Sequence, residues 1–213
     1  MTSQASSTPS RRRLLLAACS AGVAGCSGTL LPKPPAAPAR HLLDAGAAAP
    51  AAALRPPAGA PALLVALPHA APGYGSSRML YQQQLHELQA FAHNEWVDTP
   101  AQMLAPLLVR ALLDSGAFAV VLLAPSAAVV GLRLETELIR LHQDFGTRPS
   151  RLRLTLRAVL LDTRTRAAIA WREFDDSVAA TSDDPAGGVL AAQQAVQRVL
   201  AALAAFCAEQ ARR

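Results

Sequence analysis

The stretches VGLRLETEL at residues 130–138 and RLRLTLRAVL at residues 151–160 decide the fold. In the first, Val130, Leu132, Leu134 and Leu138 are apolar, and Arg133, Glu135 and Glu137 alternate with them. In the second, Leu152, Leu154, Leu156, Ala158 and Leu160 alternate with Arg151, Arg153, Thr155 and Arg157. Successive side chains of a strand point to opposite sides, so a period of two marks a strand with one buried and one solvated face. Residues 146–150 read as a turn, so the two strands are expected to pair antiparallel. Asp162-Thr163-Arg164-Thr165 is a second turn, leading into a third strand over 167–178.

Helix patterns precede and follow these strands in the sequence. Thr99 is placed as an N-cap with Pro100 at the first helical position and Gln102 at the third, the pattern of a capping box. Leu104, Leu107, Leu108, Ala111 and Leu112 follow at helical spacing, and Gly116 suits the position just past the end. Pro106 is discordant, since an interior proline removes a hydrogen bond and crowds the preceding turn. A bend there, or a helix that begins after it, is expected. A second helix is predicted from Asp184 as cap and Pro185, with Val189, Gln193, Val196, Val199, Leu200, Leu203, Phe206 and Cys207 forming its apolar stripe. Gly187 and Gly188 weaken its first turn.

Upstream, residues 63–67 form a short apolar run suited to a buried strand. A loop over 68–77 carries Pro72, Gly73 and Gly75, and 78–81 with 85–93 suggest a hairpin closed by Trp96. Residues 118–123 read as a further strand. An amphipathic helix must bury its stripe and a half-solvated sheet its face. The expected fold is therefore α+β: a two-layer sandwich of a mostly antiparallel sheet with two helices packed on one face.

The N-terminus has a different character. Arg11, Arg12 and Arg13 precede an apolar run over residues 14–23, and Gly25 is a small residue before Cys26. A positive region, a short apolar region and a small-residue cleavage site make a secretory signal. The run of about 10 residues is shorter than the roughly 18 that span a bilayer. Val23-Ala24-Gly25-Cys26 resembles the lipobox of bacterial lipoproteins, which implies cleavage between Gly25 and Cys26 and acylation of Cys26. A rival motif ending at Cys19 leaves too short an apolar region before it. Ser10 to Leu15 also resembles a twin-arginine export signal, beside the general secretion route. Two or more acyl chains hold a protein stably on a membrane. Ser27, rather than aspartate, favours the outer membrane by analogy with enterobacterial lipoproteins.

Three segments follow: a cleaved signal over 1–25, a lipidated N-terminus and Pro/Ala-rich tether over 26–61, and a folded domain over 62–213. The tether composition favours extended polyproline-like chain, with a short edge strand expected to interrupt it at Arg40 to Asp44. Removing residues 1–25 takes away three arginines and no acid, lowering the formal charge from +5 to +2. The basic balance therefore does not argue for nucleic acid. With Cys19 removed and Cys26 acylated, only Cys207 remains as a thiol, and its helical position favours an inert buried group.

The residues offer little for catalysis. No phosphate-binding glycine loop and no nucleophile elbow is present. His41, His69, His86, His93 and His142 form no metal-ligand spacing, so neither metal nor cofactor is expected. Asp175-Asp176 and Asp183-Asp184 are read as a strand end and a helix start. Arg133, Arg151, Arg153 and Arg157 share a predicted face with Glu135 and Glu137. Cross-strand ion pairs are the expected arrangement, with an anionic-lipid or partner surface as the other.

Taken in order, these pieces resemble the ABC-type transport auxiliary lipoprotein family. They are the lipobox at Cys26, His41-Leu42-Leu43, Leu64-Val65 followed by Pro72-Gly73-Tyr74, and Arg78-Met79-Leu80-Tyr81 with Leu85. Asn94-Glu95-Trp96, then Pro100 into the helix ending Gly116-Ala117-Phe118, the 134–145 strand and the C-terminal helix complete the set. Pro106, the long tether and His41 in place of an aromatic residue depart from the family pattern. The resemblance implies a non-enzymatic periplasmic lipoprotein on the outer membrane. It would be the auxiliary or docking subunit of an MCE-type ABC system that moves lipid between membranes. Its implied partners are an MCE-domain protein and the cognate permease and ATPase. Arg78, Tyr81 and Trp96 are the candidate partner surface or, equally, fold-defining packing. A tethered regulator of a cell-wall synthase is the competing reading, and a small-molecule hydrolase a weaker one.

Overall fold

The computed structural model describes residues 37–44 and 55–212; Gly25, Cys26 and most of the expected tether lie outside them. Among the described residues, nine strands and two helices follow in order. The strands are β1 (Ala39–His41), β2 (Ala62–Val65), β3 (His69–Ala70), β4 (Arg78–Gln82), β5 (Leu88–Trp96), β6 (Val120–Leu123), β7 (Leu132–Asp144), β8 (Arg151–Asp162) and β9 (Ala168–Ala179). Helix α1 (Pro100–Asp114) lies between β5 and β6, and α2 (Pro185–Gln210) ends the domain.

The two alternating stretches become β7 and β8, paired antiparallel from Leu132↔Asp162 to Asp144↔Arg151, with β9 antiparallel on the far side of β8. The other edge of β7 is taken by three short strands in succession, all parallel to it. β2 lies against Leu132 to Leu134, β3 against Glu137 and Leu138, and β4 against Gln143 and Asp144. β6 extends the sheet from β2, and β5 and β1 extend it from β4. The result is a large, mostly antiparallel mixed sheet.

A register shift between Leu138 and Arg140 inserts one extra residue into β7. A bulge of this kind flips the phase of every later side chain. Before it, Leu134 and Leu138 point into the core; after it, Leu141 and Gln143 do. Arg140 and His142 are thereby sent to the opposite face. The simple alternation ends at Leu138 for this reason, although the strand runs on to Asp144.

Both helices cover one face and touch each other. Helix α2 buries Val196, Val199, Leu200, Leu203 and Cys207, with Ala191, Ala192 and Ala195 keeping its backbone near the sheet. Opposite them lie Leu154, Leu156 and Leu160, each at most 1% exposed; burying one leucine stabilises by roughly 1.5–3 kcal/mol. Among the described residues α2 is the only helix long and apolar enough to cross a membrane, and 56% of its most apolar window is buried inside the fold.

The caps form as expected, with one change. The Gln102 N–H donates to Thr99 Oγ1 at 3.4 Å, but the Thr99 N–H goes to Asp98 Oδ1 at 2.6 Å, so the capping box has no return arm from Gln102. Gly116, at φ 64°, ends α1. The helix passes through Pro106 without starting afresh. Both Pro106 and Gln102, whose carbonyl loses its partner, are exposed, so water can take the hydrogen bond. In the hairpin, the second strand begins at Leu88 rather than Leu85, and His86 sits in the turn at φ 69°. The short edge strand near Arg40 forms as β1, parallel to β5, and Leu43 beyond it is 2% exposed.

Candidate binding face

The sheet face away from the helices is built by the solvated phase of β7, β8 and β9. Its centre is a row of ion pairs. Arg157 reaches Glu137 at 3.0 Å on one side and Glu173 at 3.2 Å on the other, and Arg133 pairs with Glu135 at 2.9 Å. The expected cross-strand pairing therefore accounts for one of the four arginines, Arg157, while Arg133 pairs along its own strand. Arg151 instead donates to Ser177 Oγ at 2.8 Å and to its carbonyl at 2.7 Å. Among the described residues Arg153 has no hydrogen-bond or ion-pair partner, and neither has Arg140.

A shallow open cleft of about 330 Å³ lies along this row, lined by His69, Glu135, Thr136, Glu137, Arg157 and Val159. Val159 is paired in register with Trp171, which is 67% exposed. The sequence reading passed over Trp171. Its signal was available, because Trp171 occupies the solvated phase with Glu173 and Asp175, where a large aromatic gains nothing by folding.

At the other end of the face the loop between β3 and β4 folds over β7. The Tyr74 N–H donates to the Ala71 carbonyl at 3.0 Å around Pro72 and Gly73, the latter at φ 91°. Proline followed by a residue with positive φ is a type II turn, which favours glycine at that place. The turn sets Tyr74 on His142, with rings 6.1 Å apart and nearly parallel and Tyr74 Oη 2.9 Å from His142 Nδ1. His142 is only 7% exposed. Burial, followed by the nearby Arg140 guanidinium, holds its imidazole down at about 4, so it is neutral at physiological pH. Burial also raises the Tyr74 hydroxyl.

The three expected partner-surface residues sit apart in character. Arg78 is exposed, opposite Glu95 in the register of β4 and β5. Tyr81 is half-buried, donates to Gln89 Oε1 at 2.5 Å and packs with Phe91 and Phe145 at centroid distances of 4.5 and 5.9 Å. Trp96 is 4% exposed and belongs to the core. The lipidation residue Cys26 is outside the described residues.

The remaining groups have structural work. Asp183 accepts the Ser150 N–H at 2.6 Å, and Asp184 accepts the Gly187 N–H at 2.7 Å as the cap of α2. These bonds hold both carboxyls below their ordinary value. Asp175 accepts from Thr155 Oγ1 at 2.6 Å. Cys207 is fully buried, and burial pushes its thiol up to about 12. No group of three His, Cys, Asp or Glu side chains capable of holding a metal occurs among the described residues.

The fold is that of a small α+β sandwich domain with one face of its sheet left free of helices. The family model for the ABC-type transport auxiliary lipoprotein component matches residues 41–204, and the chain belongs to that family. Its members are components auxiliary to ABC transport systems, not a known enzyme family. The fold is similar to that of protein XCC0632 from Xanthomonas campestris, at 26% identity and a TM-score of 0.66, covering 75% of this chain and 92% of that one. A second solved structure, an uncharacterized protein, matches at 14% identity and a TM-score of 0.62, covering 81% and 99% of the two chains. No functionally curated protein matches the sequence.

Proposed function

We propose that this protein is the docking subunit of an MCE-type ABC system that carries phospholipid between the membranes, held on the outer membrane by acyl chains on Cys26. The observation that carries the reading is the match to the auxiliary lipoprotein family over residues 41–204. The lipobox sequence and Ser27 support the anchor and its membrane. The helix-free sheet face supports docking. An exposed tryptophan beside a charged, open cleft has the make-up of an interface hot spot with a polar rim. The MCE-domain protein then contacts Trp171, Val159 and the Glu137–Arg157–Glu173 row.

Co-purification of the full-length lipoprotein with the MCE protein encoded in its gene neighbourhood tests this. The complex is expected to form with the parent chain and to weaken at least ~10-fold with Trp171→Ala. No complex with either chain, together with unchanged outer-membrane lipid asymmetry in a deletion strain, refutes the reading. Membrane fractionation of the parent and Cys26→Ser tests the anchor.

A further inference from the structure

Arg140 and Arg153 stand on the helix-free face with no anionic partner among the described residues. His142 is opposite Arg153 in the β7–β8 register, and Arg140 is opposite Thr155, one diagonal step from Arg153. Diagonal neighbours lie about 7–8 Å apart, close enough for two long side chains to meet. Both arginines are half-buried. Two like charges so placed repel, and the other cations of the face avoid this: Arg133 and Arg157 are paired with glutamates and Arg151 is tied to Ser177.

Neither nearby carboxylate, Asp144 or Asp175, forms an ion pair with these arginines, although Asp144 is close enough to act on His142. Asp144 accepts the Gly146 N–H at 2.8 Å and Asp175 accepts from Thr155. Between the arginines lies no third cation but a neutral imidazole roofed by Tyr74, whose hydroxyl sits at the same corner.

We propose that this corner, made by Arg140, Arg153, Tyr74 and His142, is a binding site for a phosphate-type oxyanion. A tetrahedral anion offers oxygens in several directions and can be gripped by two guanidinium forks from adjacent strands, whereas a planar carboxylate is satisfied by one. Tyr74 and the imidazole add neutral hydrogen-bonding groups without adding charge. The same chemistry is presented by free phosphate and by a phospholipid headgroup. The site stands on the geometry of β7 and β8 and does not depend on the MCE reading.

The test uses the full-length chain in a maltoside detergent, with the arginine Nε–H and His142 resonances followed by NMR. Inorganic phosphate is titrated at constant ionic strength against acetate and chloride. The expected result is a saturable shift at Arg140 and Arg153 with phosphate but not with acetate. It should weaken ~10-fold or more in Arg153→Gln and in Arg140→Gln, since each removes a charged hydrogen bond. Arg133→Gln, on the same face but paired with Glu135, should bind within twofold of the parent. The His142 titration should move upward when phosphate is bound, because an anion favours the imidazolium. Competition by short-chain phosphatidylglycerol, but not by maltoside alone, assigns the site to a lipid headgroup; phosphate binding without that competition assigns it to a soluble phosphate. A response equal for chloride and phosphate, or one untouched by both variants, overturns the proposal.

Discussion

The buried His142 makes a definite statement about acid stability. Its folded-state pKa is about 4 against 6.5 for the free side chain, mainly because burial disfavours the charged ring. Above pH 6.5 both the folded and unfolded chains carry a neutral imidazole, and the group costs nothing. As pH falls below 6.5 the unfolded chain takes up a proton while the folded chain does not, so unfolding is favoured progressively. The loss is complete near pH 4, where the folded form also protonates. Each pKa unit is worth ~1.4 kcal/mol, which caps the loss at ~3 kcal/mol. Tyr74 is a single cover at the protein surface, and local opening would admit water, so ~1–2 kcal/mol is expected between pH 7.5 and 4.5. Urea unfolding of the parent and His142→Gln, followed by the fluorescence of buried Trp96, measures this. Glutamine keeps an acceptor for the Tyr74 hydroxyl and does not titrate. Subtracting the two pH profiles removes the contribution of carboxylates such as Asp162, Asp183 and Asp184, which titrate lower. The difference should grow as pH falls from 6.5, in favour of the variant. Parallel profiles, or a parent that gains stability on acidification relative to the variant, would refute the argument.

Gly187→Ala tests packing against propensity. Alanine would normally stabilise a helix by ~1 kcal/mol, but its Cβ would stand 2.2 Å from the Ser182 carbonyl oxygen, a backbone atom. A net loss of ~1–3 kcal/mol is expected, seen as a lower melting temperature, while Gly131→Ala, with nothing within 4 Å, should be neutral or better. Cys207 should resist a thiol reagent at pH 8 in the folded protein and react at once in urea, since its thiol is buried and pushed up to about 12. Trp171→Ala should leave stability within ~0.5 kcal/mol of the parent, because the side chain is 67% exposed.

The antiparallel β7–β8–β9 core was legible because the period of two extends over many residues and the turns between are short. The helices were legible from their caps, Thr99-Pro100 and Asp184-Pro185. What could not be read was the parallel docking of β2, β3 and β4 along one edge of β7. Those strands have four, two and five residues, and their partners are far away in sequence. The bulge after Leu138 was also hidden, since Leu138-Ile139 looks like the end of an alternation rather than a change of its phase. For the site, the arginine face was anticipated from Arg133, Arg151, Arg153 and Arg157. Arg140 and His142 were not assigned to it, because only the phase change brings them there. The weak first turn expected from Gly187 and Gly188 has a positive reason in the fold: Ser182 and Gln143 fill the space a Cβ would need.

The bulge and the Pro72-Gly73 turn together bring Arg140, Arg153, His142 and Tyr74 to one corner. Without the extra residue, Arg140 and His142 would point at the helices, where a guanidinium and an imidazole would be buried at high cost. Without the positive φ at Gly73, the chain would not fold back to set Tyr74 on His142. A protein that needed only a stable sheet would have little reason to keep two arginines without an ion-pair partner among the described residues around a sealed neutral ring, when glutamates elsewhere on the same face neutralise their neighbours. Among the described residues of this face, the side chains of Arg140 and Arg153 lack a hydrogen bond or ion pair, and they flank the ring that Tyr74 covers. That selectivity separates the corner from the solvated ladder beside it and makes the arginine pair, rather than the whole basic face, the feature to test first.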